Sequence, residues 1–117
     1  MTRVGSFLAR AGAAAGIAIG TALGAASAHA DCFEGIGCTD SDYFDVDDLV
    51  QLSCANLWHV RNRVYDENGY CFKTRIAKRR FDNSDCWIES QSQVKMSTVE
   101  RHNVNAIVAA ERENGCD

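Results

Sequence analysis

The residues of this 117-residue chain with the most readable chemistry are its six cysteines, Cys32, Cys38, Cys54, Cys71, Cys86 and Cys116. A thiol can ligate a metal, act as a nucleophile or pair with another thiol. Zinc ribbons and fingers use close pairs such as C-x-x-C, and none occurs here. A catalytic thiol paired with histidine is disfavoured by the even count. An even number of cysteines in a small exported domain reads as a disulfide framework, and six allow 15 connectivities. All six are therefore expected to be bridged.

His59 and His102 are the histidines beyond residue 30. With Glu67, Asp85, Glu89 and Glu100 they offer the groups of an acid–base or metal set. Their spacing fits no such arrangement: H-E-x-x-H, G-x-S-x-G and a phosphate-binding loop are all absent. The acidic run Asp40, Asp42, Asp45, Asp47 and Asp48 suggests calcium. An EF-hand loop started at Asp40 puts Asp45 where glycine is required and Gln51 where the bidentate glutamate belongs, so the match fails. No catalytic residue, metal site or cofactor is expected, and a hydrolase is the least favoured reading.

Three other groups invite a binding role. Arg61-Asn62 stands inside a helical pattern, where asparagine is a poor helix former and needs a reason. One reading is ligand recognition. The favoured one is structural: Asn62 bonds a loop backbone and Arg61 pairs with Glu111 or Glu100. Lys73, Arg75, Lys78, Arg79 and Arg80 form a candidate anion patch, suited to phosphate, a lipid headgroup or a wall polymer; the equal alternative is a solvated helix face partly neutralised by the chain's own acidic arm. Trp58, Tyr65, Tyr70, Phe72, Phe81 and Trp87 offer a sugar-stacking groove as one reading; the favoured one is core, with Tyr70 or Trp87 the most exposed of them.

The compartment follows from the first thirty residues. They carry Arg3 and Arg10 and no acid, run through an Ala- and Gly-rich apolar stretch from Ala11 to Ala26, and end in Ala28-His29-Ala30. This is the pattern of a cleavable secretory signal, with cleavage expected before Asp31. The apolar stretch is shorter than the ~20 residues of a membrane span, and nothing later could span a bilayer. Lipid anchoring is not expected, because Asp31 separates the small residues from Cys32. The remainder is one small domain in an oxidising compartment, periplasmic or extracellular. Its core is marginal for its size, which is where disulfides contribute most. The chain has 12 basic and 16 acidic residues, and Arg3 and Arg10 would leave with the signal. That balance argues against nucleic acid as a partner.

These groups need elements to position them. Residues 31–48 read as an acidic, cysteine-containing arm, irregular over 31–44, with Cys32–Cys38 its simplest pairing and Asp45 or Asp47 near a helix N-terminus. Ser53 can cap a helix carrying Leu57, Val60 and Val64, stopped by Asn68-Gly69 with Tyr70 or Phe72 folding back on it. Thr74 can cap a short helix with Ile76 and Phe81 inward. Asp82 to Asp85 is a turn, Cys86-Trp87-Ile88 a packed segment, and Ser90 to Lys95 a polar loop. Ser97 and Glu100 form a capping box for a helix with Val104, Ile107 and Val108, stopped by Asn114-Gly115. Helices over about 53–68 and 98–113 place Cys54 and Cys71 at opposite ends of a rod about 22 Å long, too far apart to bridge. If the two helices are antiparallel, Cys54 meets Cys116 and Cys71 is left for Cys86.

The stretch LVQLSCANLWHVRNRVYDENGYCFKTRIAKRRFDNSDCW with TVERHNVNAIVAAE resembles the bacterial YARHG domain family. The matching positions are Leu57, Trp58, Arg61, Asn62, Tyr65, Gly69, Tyr70, Phe72, Phe81, Trp87, Glu100, Asn103, Ile107 and Glu111, over about Leu49 to Glu111. The eponymous motif departs: Asp66, Glu67 and Asn68 stand where the family has Ala-Arg-His. This turns a local charge of about +1 into −2. Tyr65 and Gly69 are kept and suit a structural role. The resemblance implies an extracytoplasmic helical domain over residues 49–117. The fold expected is all-α: two main helices and one or two short ones, stapled by three disulfides, after a cleavable signal peptide. The function expected is non-catalytic binding or structural support in the cell envelope. The partner would be an envelope component or another exported protein. The alternative is a secreted inhibitor or small effector directed at a protein.

Overall fold

The computed structural model describes residues 31–117, and the expected signal peptide, residues 1–30, lies outside the described residues. Four short sequence signals set the two long helices. Helix α2, Cys54–Glu67, starts at Ser53, whose side chain accepts the Asn56 N–H at 3.1 Å. Helix α4, Thr98–Glu113, starts at a capping box in which Ser97 and Glu100 each accept the other's backbone N–H. Both helices end the same way. Gly69 and Gly115 take positive φ, +92° and +71°. Behind them the N–H groups of Tyr70 and Cys116 reach back to the carbonyls of Tyr65 and Glu111, at 3.1 and 2.8 Å. Together with the Gly69→Asp66 and Gly115→Arg112 bonds, these are Schellman motifs. At the first of them Tyr70 supplies the apolar contact, its ring edge-on to Tyr65 at 6.0 Å.

The two helices are antiparallel, because they are tied at three levels. Cys54 is bridged to Cys116, Arg61 binds Glu111, and Asn68 donates to Glu100. Between these ties Leu57 and Val60 meet Ala106, Ile107 and Ala110. Phe44 and Leu49 close the same core from the N-terminal side, Leu49 on a one-turn helix α1, Val46–Leu49, capped by Asp45. The other flank of α2 presents Trp58 and Tyr65 to a second, aromatic core of Phe72, Ala77 and Phe81. Ala77 lies on α3, Arg75–Arg80, which Thr74 caps. A 3-10 turn, Gln91–Gln93, leads towards α4. The described chain is thus mostly helical, with four helices and three disulfides: Cys32–Cys38, Cys54–Cys116 and Cys71–Cys86.

Four expectations change. Residues 31–44 are not wholly irregular. Cys32–Phe33 (β1) pairs antiparallel with Gly37–Cys38 (β2), and 31–117 form one compact unit. Strands of two residues are too short to show an alternating pattern. Ile76 does not point inward but is 51% exposed, and Ala77 takes the core position. In a helix of one and a half turns the inward face is chosen by the neighbouring Phe72 and Phe81, not by periodicity. Trp87, one of the two aromatics expected outermost, is 69% exposed, so the Cys86-Trp87-Ile88 segment is not packed inside at its centre. Asn62 bonds no loop: its Nδ2 donates to the Trp58 carbonyl one turn back in its own helix, at 2.9 Å.

Candidate functional site

The polar residues singled out in the sequence divide by what they touch. One set faces inward and holds the fold. Arg61 grips Glu111 with two bonds, Nε to Oε1 at 2.8 Å and Nη2 to Oε2 at 3.1 Å. Glu100 caps α4 with one oxygen and accepts from Asn68 Nδ2 with the other, at 3.2 Å. Asn103 is wholly buried. Its Oδ1 accepts the Phe44 N–H at 2.8 Å, and its Nδ2 donates to the carbonyls of Thr39 and Asp42 at 2.9 and 2.7 Å. One amide thereby pins the whole 39–44 segment to α4. Leu57 and Ile107 are fully buried between the helices. Phe81 stacks on Phe72 at 4.9 Å, and Trp58 lies 5.9 Å from Phe81.

The altered motif sits at the end of α2. Asp66 and Glu67 both face Arg63, at 3.6 and 2.9 Å, and Asn68 is the C-cap. Burial pushes the Asp66 carboxyl above the usual carboxylate range. Arg63 opposes that shift, and Glu67, Asp85 and Asp82 add to it. Tyr65 and Gly69 make the Schellman turn, so the kept residues of the motif are the ones that end the helix.

The histidines are not brought together. His59 stacks on Phe81 at 5.2 Å in a cleft whose carboxylate is Glu34. Burial, then Arg63 and Arg80, hold its pKa below the ordinary 6.5. His102 lies against Tyr43 and the Phe44 carbonyl, in a cleft whose carboxylate is Asp45. Glu67 and Asp85 share a hollow without either histidine. Among the described residues no group of three or more His, Cys, Asp or Glu side chains could hold a metal ion.

Two surfaces remain. On α3, Arg75, Lys78, Arg79 and Arg80 are exposed around Ile76 and form no ion pair among the described residues, whereas Lys73 is paired with Glu89. On the far side of the Cys71–Cys86 bridge, Trp87 borders a groove of about 770 Å³ formed with Glu67, Asn68, Ile88, Glu89, Gln93 and Lys95. Sequence reasoning missed Gln93 and Lys95 because a polar loop carries no pattern. It also missed Asn83, whose side chain bonds both the N–H and the carbonyl of Phe72.

Such an arrangement defines a small helical domain whose shared polar residues are absorbed into its own scaffold. The family model of the YARHG domain matches residues 36–112, and the chain belongs to that family. The match starts ahead of Leu49 and takes in all of β2 and all of α1. The Asn103 bonds to residues 39–44 give the physical reason: that segment is part of the domain's core. YARHG domains are extracytoplasmic. No curated protein and no solved structure matches the chain. Among the described residues no helix is long and apolar enough to cross a membrane.

Proposed function

We propose that this chain is an exported, non-catalytic binding domain of the bacterial envelope, with residues 1–30 as its signal peptide and the outer face of α3 as its contact surface. The observation that carries this reading is the state of that face. Arg75, Lys78, Arg79 and Arg80 surround a half-exposed isoleucine and have no acidic partner among the described residues. Cations left unpaired around one apolar side chain suit a phosphate-bearing surface, where each Lys or Arg contributes about 1 kcal/mol near an anionic leaflet. The three bridges fit an oxidising compartment. The two histidines, in separate clefts with one carboxylate each, support binding over catalysis.

The test is co-sedimentation of the oxidised protein with phosphatidylglycerol-containing vesicles and with neutral phosphatidylcholine vesicles. Binding to the anionic vesicles alone is expected, weakened about tenfold or more by R75E with R79E and by raised salt. Equal binding to both vesicles, or indifference to charge reversal, overturns the reading.

A further inference from the structure

Trp87 is an exposed indole on an unusually firm mount. The backbone N–H groups of Trp87 and Ile88 both donate to the Gly69 carbonyl at 3.0 Å, and the Cys71 N–H donates to the Ile88 carbonyl at 2.8 Å. The Cys71–Cys86 bridge fixes the residue just before it. One face of its six-membered ring lies on Gly69 so closely that a Cβ there would stand 2.5 Å from three ring carbons. With one face covered and 69% of the residue exposed, the other face is presented outward. A ring held this way forms a preorganised platform, and ordering it on binding costs little.

The groove beside it is nearly balanced in charge. Glu67 is paired with Arg63 at 2.9 Å and Glu89 with Lys73, while Lys95 adds one cation. Paired carboxylates keep free acceptor lone pairs but exert little net field, so a charged ligand has no strong attraction here. The Gln93 amide offers a donor and an acceptor, Lys95 offers donors, and neither bonds another side chain among the described residues. The 3-10 turn Gln91–Gln93 places Gln93 on the same groove as the indole.

A flat apolar platform bordered by mixed donors and acceptors, with little net charge, matches a sugar ring. Such a ring has an apolar C–H face and a polar rim of hydroxyls. We propose that the Trp87 groove binds a saccharide: a pyranose stacks on the outer face of the indole, and Gln93, Lys95 and the paired carboxylates bond its hydroxyls. The groove volume falls within the range of small-molecule sites. The inference is independent of the α3 surface.

The experiment is an NMR titration of the oxidised protein with maltotriose, cellotriose and tri-N-acetylchitotriose. The readout is the two indole N–H resonances, assigned with W87F. At least one trisaccharide should move the Trp87 resonance saturably, with a Kd on the order of 1–10 mM. Trp58, outside the groove, should stay still and serves as the reference. W87A should abolish the response. Q93A with K95A, both at exposed positions away from the mount, should weaken it about tenfold, which guards against W87A merely loosening the fold. R75E with R79E should leave it unchanged, so that failure of the α3 reading and of this one are separable. No response to any of the three sugars at about 20 mM overturns the proposal. So does a saturable response to a lysine-rich peptide in place of the sugars.

Discussion

Arg61 and Glu111 join the middle of α2 to the last turn of α4 through a pair of parallel hydrogen bonds, at 2.8 and 3.1 Å. Both side chains are mostly shielded from solvent. R61A or E111Q leaves a partly buried charge without its partner and should cost about 1–3 kcal/mol. R61K should not restore it, since lysine lacks the planar fork. Urea unfolding in a double-mutant cycle checks this, and a coupling energy indistinguishable from zero would refute it.

Asn103 should be the most sensitive polar position in the chain. N103A leaves the Phe44 N–H and two carbonyls buried without partners, at about 1–3 kcal/mol for each group left unsatisfied. Against a total of roughly 5–10 kcal/mol, the domain should be largely unfolded at 37 °C. N103D should fare no better, because a carboxylate oxygen would face the Thr39 and Asp42 carbonyls. Circular dichroism melts decide it; a melting point within a few degrees of the parent would show that the 39–44 segment is held by other means.

Gly69 meets two demands at once, a left-handed backbone and the indole of Trp87 above it. G69A should therefore cost more than the ~1 kcal/mol of the backbone alone. In a W87A background the penalty should fall to about that value. Additive effects of the two substitutions would mean that the ring shifts aside freely.

The bridges should rank by the chain they close. The chain-entropy model gives about 2 kcal/mol for Cys32–Cys38, about 3 for Cys71–Cys86 and about 4 for Cys54–Cys116. Full reduction should unfold the domain at 37 °C, whereas C32S with C38S should leave helicity nearly unchanged. Far-UV circular dichroism of the three cysteine-pair variants and the reduced parent tests the order.

Asp66 should act against the fold at neutral pH. Its carboxyl is raised above the usual range by burial first, and then by Glu67, Asp85 and Asp82. A raised carboxyl binds its proton more tightly in the folded state. Its contribution is therefore favourable at low pH and is lost as pH rises through the folded pKa. D66N should raise the melting temperature by about 1–2 °C at pH 7, a small gain because solvent screens the site, and should change nothing at pH 3. A gain that persists at pH 3 would point to a cause other than ionisation.

The features readable in the sequence are those set within a few residues. Ser53, the Ser97–Glu100 box and the two Asn-Gly stops mark both long helices within a residue of their ends. Helix length alone separates Cys54 from Cys71. What was not readable depends on partners far away in the chain. Asn103 bonds a backbone 59 to 64 residues earlier, and nothing local announces it. The outward turn of Ile76 follows from which face of α3 meets Phe72 and Phe81. The sequence marks Trp87 as one of the outer aromatics, whereas its seat on Gly69 is not legible in it. The Trp87 groove became visible only when the turn at Gln91–Gln93 was in place.

Helix α2 has a further consequence in time. A chain crossing a membrane from its N-terminus delivers Cys54 and then Cys71 well before Cys116. In that interval five cysteines are present and Cys54 lacks its native partner. Once α2 has formed, it stands between Cys54 and Cys71 as a rigid spacer of 14 residues, about 21 Å long. Oxidation can then proceed early without trapping the Cys54–Cys71 pair. The same rod that carries the core also acts as the proofreader of its own cross-links.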